Sequence, residues 1–181
     1  MLITSAVILA VLVAADLITK ALICPTVIEA GGTMKFIPGL IRFEYTENTG
    51  MAWGMFKNAT LLLTILTVIA CAVFVYVIIK KRDVMPLAIR LGLVMILAGA
   101  LGNLFDRIFL GYVRDFIAFD FFEFPIFNFA DSCVSIGAVL LAFTLIFTRS
   151  GRRFFMSLDG EDKAKKAEKP AEETKDEPAD D

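Results

Sequence analysis

Four aspartates carry the first chemical information in this sequence: Asp16, Asp106, Asp115 and Asp131. Each lies in or beside a long apolar run, where a carboxylate is expensive unless it is paired or used. The 181 residues contain no histidine. That excludes histidine-based zinc sites, Ser-His-Asp triads and Cys-His dyads. Acid–base work then falls to carboxylates, lysine, tyrosine or cysteine. Two carboxylates that share a site cannot both ionise cheaply, so one pKa rises and the pair holds one proton. The charged member can activate a water and the neutral member can protonate a leaving amine. This is aspartic-protease chemistry, and it needs no metal and no cofactor.

Spacing adds detail. Asn103 and Asp106 are three apart, as are Asn128 and Asp131. On a helix each pair shares a face, so each presents an amide beside a carboxylate. Asp131 can also simply cap a helix. Asp16 and Lys20 are four apart and can pair, and an ion pair is preferred to catalysis there.

Such groups need a scaffold, and the composition indicates a membrane one. Apolar residues make up 57% of the chain. The net charge of −2 joins two unlike parts: residues 1–156 carry an excess of three basic residues, and Ser157 to the C-terminus an excess of five acidic ones. Four apolar stretches, about 2–22, 60–79, 86–105 and 132–148, approach the ~20 residues needed to cross hydrocarbon as helices. The first lacks a basic leader and continues past Lys20, so it reads as a retained helix and not a cleaved signal. Ala98, Gly99, Ala100 and Gly102 give the third stretch a small-residue face for close packing.

Lys80, Lys81 and Arg82, with Arg149, Arg152 and Arg153, place two loops and both termini on the cytoplasmic side. The acidic tail, 157–181, is expected to be disordered and cytoplasmic. The outer loop 24–58 alternates Ile41, Phe43 and Tyr45 with Arg42, Glu44 and Thr46, which predicts a small extracytoplasmic sheet. Asn48-Thr49-Gly50 reads as a turn, and Met51–Phe56 as an apolar segment with Trp53 at headgroup depth. The second outer loop, 106–130, has eight phenylalanines between Phe109 and Phe129 and reads as interfacial. Cys24, Cys71 and Cys133 read as buried hydrophobes and not a disulfide framework.

Five blocks in order then resemble the bacterial lipoprotein signal peptidases, or signal peptidase II: Asp16–Lys20, Asn48–Trp53, Ala98–Arg107, Val113–Phe116 and Phe127–Asp131. The likeness covers about residues 10–150. It implies an all-α integral membrane aspartic endopeptidase of the inner membrane, with four spans and a small outer sheet. Such an enzyme cuts the signal peptide from diacylglyceryl-modified prolipoproteins just before the lipidated cysteine. It also implies that Asp115 and Asp131 are catalytic. Asn48, Gly50, Asn103, Asp106, Arg107, Asn128, Ala130, Asp16 and Lys20 would line or orient the site. The expected partners are prolipoproteins and membrane lipids, with no nucleic acid, and the chain is expected to be monomeric. Trp53 and Ala98 depart from the usual phenylalanine and glycine.

Competing readings are a small four-helix transporter, which would want a carboxylate at the middle of a span, and a Lys20–Ser132 peptidase. Arg107 has two readings as well. It can hold a substrate oxygen through its planar fork, or neutralise Asp106 and brace a helix end.

Overall fold

The computed structural model describes residues 2–50 and 59–157. Four helices form a bundle: α1 (Leu2–Glu29), α2 (Thr60–Lys80), α3 (Leu87–Phe109) and α4 (Phe129–Phe147). All four are long and apolar enough to cross a membrane. Their outward faces remain apolar and open, as at Leu22, Leu61 and Val139. In water such surface would be untenable; against lipid tails it is matched.

The buried core lies on α3, the helix packed against all three others. Its small residues explain the close approach. A Cβ added to Gly92 would stand 2.9 Å from the carbonyl oxygen of Gly137 on α4. Gly99 abuts the Ala130 carbonyl, and Gly102 abuts the Asp16 carboxylate. Alanine at any of the three would push α1 or α4 away from α3.

A three-stranded antiparallel sheet closes one end of the bundle, in the order β1 (Thr33–Ile37), β2 (Ile41–Asn48), β3 (Val113–Phe119). It lies where α1 and α3 finish and α4 begins. The strand periodicity of β2 is as the sequence suggests. Phe43 stacks on Phe36 at 4.6 Å and meets Phe116 edge-on at 6.1 Å. Thr46 pairs with Asp115 and Ile41 with Phe119.

Three boundaries differ from expectation. The first helix passes through Pro25 to Glu29, seven residues beyond its predicted end. A proline costs one backbone bond, and lipid-facing helices tolerate it because no other backbone structure is cheaper there. Asp16 therefore lies halfway along α1 and not near its end. The third helix continues to Phe109, so Asp106 and Arg107 belong to its last turns instead of following it. The second outer loop, expected only as an interfacial segment, supplies β3. The cysteines are free and buried. Trp53, the Met51–Phe56 segment and the tail from residue 158 lie outside the described residues.

Candidate active site

β3 delivers Asp115. The chain leaves α3, turns at Gly111 with φ +83°, and enters the strand. Asp106 clamps that entry. Its carboxylate accepts the backbone N–H of Arg114 at 3.0 Å and the Arg114 guanidinium at 2.7 and 3.2 Å. The next residue, Asp115, is 1% exposed. Its two oxygens accept Asn48 Nδ2 at 2.9 Å and Asn128 Nδ2 at 2.6 Å. Asn48 ends β2, and its own Oδ1 accepts the Gly50 N–H at 2.9 Å, which makes the predicted turn.

Asp131 arrives from α4. Asn128 is the N-cap of that helix and Asp131 its third residue, joined in a reciprocal capping box. Asp131 Oδ2 accepts the Asn128 N–H at 3.0 Å, and Asn128 Oδ1 accepts the Asp131 N–H at 2.9 Å. The other Asp131 oxygen accepts Asn103 Nδ2 from α3 at 2.8 Å. Asn103 Oδ1 in turn accepts Asn128 Nδ2 at 3.0 Å and Lys20 Nζ at 2.9 Å. Asparagines thus join the two carboxylates: Asn128 serves both directly, and Asn103 links Asp131 to a buried lysine.

A second group of charges lies deeper. Lys20 Nζ stands 2.9 Å from Asp16 and 3.4 Å from Asp106, and the three side chains are at most 1% exposed. Asp16 Oδ1 also accepts the Ala130 N–H at 2.9 Å, which ties α1 to the first turn of α4. Arg114 completes the group. Sequence reasoning assigns it no role, because its partner Asp106 lies eight residues back across a turn, a spacing that has no motif.

Burial is the main cause that pushes the Asp115 carboxyl up to about 7. The nearby Asp131 charge adds to the shift, and the Asn48 and Asn128 donors oppose it. Asp115 is therefore a carboxyl that can hold a proton near neutral pH.

Arg107 Nη2 donates to the Gly50 carbonyl at 3.3 Å, and its nearest acidic charges include Asp131 and Asp115. It makes no ion pair with Asp106 among the described contacts, because Arg114 and Lys20 occupy that carboxylate. Arg114, rather than Arg107, neutralises Asp106. One further expectation needs correction, and one competing reading falls. Asn103 shares a face with Asp106 but serves Asp131. Lys20 is occupied by Asp16, Asp106 and Asn103, while Ser132 Oγ donates to the Asn128 carbonyl, so no Lys20–Ser132 pair forms.

Beside Asp115, Asn48 and Gly50 opens a cavity of about 880 Å³ that runs over the sheet toward residues 119–126. Fold and site together define a multi-pass membrane protein with a buried carboxyl, Asp115, at the rim of an open cleft and a second carboxylate, Asp131, joined to it through Asn128.

Comparison with known proteins places it further. Residues 8–147 match the family described as Signal peptidase (SPase) II. The lipoprotein signal peptidase of Enterococcus faecalis is 40% identical over 119 residues, 66% of this chain and 73% of that one. The lipoprotein signal peptidase of Caldanaerobacter subterraneus subsp. tengcongensis is 40% identical over 141 residues, covering 78% and 94%. Two solved bacterial membrane enzymes share the fold. One, at 2.3 Å resolution, has a TM-score of 0.69 and 28% identity, with 98% of this chain and 94% of that chain covered. The other, at 1.9 Å, has a TM-score of 0.70 and 35% identity, covering 80% and 93%. The chain belongs to the signal peptidase II family, and it is a protease. The transporter reading falls with that match.

Proposed function

We infer that this protein removes signal peptides from diacylglyceryl-modified prolipoproteins, cutting before the lipidated cysteine, with Asp115 and Asp131 as its catalytic pair. The observation that carries the assignment is the joint hold of Asn128 on both carboxylates, with Asp115 lining the cleft. Asp115 is the member that holds the proton. Asp131 takes a proton from the attacking water as the water oxygen bonds to the scissile carbonyl carbon. Asp115 gives its proton to the leaving nitrogen as the C–N bond breaks. The proton gained by Asp131 then returns to Asp115, and the pair is restored. Asn48, Asn103 and Asn128 keep the carboxylates oriented with neutral donors. Arg107 offers its second face to a substrate oxygen.

The membrane in this reading is the bacterial inner membrane, with a monomeric enzyme among its lipids and both termini in the cytoplasm. The support is the basic set Lys80, Lys81, Arg82, Arg149, Arg152 and Arg153, which follows α2 and α4 at the end of the bundle opposite the sheet. The site would then lie near the outer face.

The test is cleavage of a purified diacylglyceryl prolipoprotein by the purified protein. The wild type should release the signal peptide and Asp115→Asn should not. Equal product from both would show that the pair is misassigned.

A further inference from the structure

The cavity beside Asp115 has two chemically different walls. One is the polar face of β2, where Glu44 and Glu47 stand; the other is the loop after β3, with Phe121, Phe122 and Glu123. Phe121 and Phe122 are 60% and 47% exposed and lie 4.7 Å apart between centroids, so they present ring surface to the cleft. Asp120 adds a further carboxylate at the far end from Asp115. Against these, Arg42 is the only basic residue among the described lining. It is already held, with Glu44 at 2.9 Å and Asp120 at 3.4 Å. The cleft therefore has an acidic excess facing open aromatic rings.

Carboxylates alone draw any counter-ion, and rings alone draw any apolar chain. Both together in one open cleft fit a narrower class of group. A lysine or arginine side chain can lay its stem and cation on the rings and bring its donors to the carboxylates.

Geometry says which part of a substrate reaches there. The cleft starts at Asp115 and follows β3 toward Phe119. At ~3.3 Å per strand residue this is about 13 Å, the span of four extended residues. An apolar signal segment belongs against the open apolar faces of the helices. The polar cleft lies over the sheet, beyond the ends of α1 and α3, and so receives the chain on the other side of the cut.

We propose that this acidic, aromatic-walled cleft is a specificity subsite that selects a lysine or arginine three to four residues after the cleaved bond and disfavours aspartate or glutamate there. The proposal rests on the peptidase function inferred above and names a preference among its substrates.

Three diacylglyceryl prolipoproteins, identical except for Lys, Ser or Glu at the third and fourth residues after the cut, test it. At low salt KM should rise from Lys to Ser to Glu, with a Lys-to-Glu spread on the order of tenfold, as partly exposed ion pairs and ring contacts give. The spread should shrink in about 1 M salt, where screening acts within ~3 Å. It should shrink also in a Glu47→Gln, Glu123→Gln double variant. Because the spread is a ratio within one enzyme, it does not depend on how much of a variant is folded. Equal KM for the three substrates, or a spread that survives the double substitution, overturns the subsite. Failure of the wild type to cleave even the Ser substrate overturns the peptidase function itself, so the two failures are distinct.

Discussion

Two pairs of aspartates stand at the sheet end of this bundle, and they differ in what holds them. Asp16 and Asp106 are held by cations: Lys20 touches both, and Arg114 forks onto Asp106. Asp115 and Asp131 are held by amides from Asn48, Asn103, Asn128 and the backbone. The cationic pair fastens α1 to α3 and to the entry of β3. The amide-held pair is oriented just as firmly, yet none of its described bonds comes from a charged group. Amide donors fix where a carboxyl points and favour its ionised form less strongly than a cation does. Residue type is the same in both pairs, and the partners differ: cations for one, neutral amides for the other.

The largest expected effect breaks the amide-held pair. Asp115→Asn and Asp131→Asn should each lower turnover by at least about 10²–10⁴. The double variant should fall little further, because the two act as one unit. Turnover of either single variant near that of the wild type would end the distinction drawn here.

The cationic pair should fail differently. Lys20→Met leaves Asp16 and Asp106 buried and short of a cation, which costs on the order of 3–5 kcal/mol of stability. The melting temperature in detergent should fall sharply. Retention of wild-type melting would show that the buried lysine is no strut.

A third experiment separates the pairs by pH. The Asp115 carboxyl is raised from 3.8 to about 7. Between those values the folded state keeps a proton that the unfolded chain has released. The contribution is full below about pH 4 and is lost as pH rises through about 7, so stability declines across that window. Asp115→Asn should flatten that decline, measured as melting temperature from pH 4 to 8. Parallel slopes for the two proteins would count against a proton on Asp115.

The smallest effect concerns Arg107. Its Nη2 donates to the Gly50 carbonyl, and Asp131 and Asp115 are among the acidic charges that act on it. Arg107→Lys should raise KM about tenfold, the worth of one charge-assisted bond, with little change in melting temperature. Unchanged KM with a lowered melting point would move Arg107 into the class of struts.

Much of this was legible from residue spacing. The charge-free run 60–79 is α2 almost to the residue, and Asn128 with Asp131 does occupy one helix turn. What was not legible has physical causes. Pro25 reads as a stop because in water it usually is one, whereas in lipid the helix has no competitor. β3 was hidden because its partner β2 lies about seventy residues earlier, and phenylalanines that pair across a sheet look like phenylalanines that sit in an interface. The role of Arg114 depends on a turn at Gly111 that brings residues 106 and 114 together. Asn103 misled by local logic: its helix neighbour is Asp106, but its nearest need is on another helix.

The capping box at the start of α4 has a consequence in time as well as in space. A chain made from its N-terminus has Asp115 long before it has Asn128 and Asp131. Until the last helix begins, the strand holds one lone acid without its bridging amide or its partner. With Asp115 and Asp131 as the proposed catalytic pair, the chain has no means of cutting until the start of α4 brings Asn128 and Asp131 to Asp115.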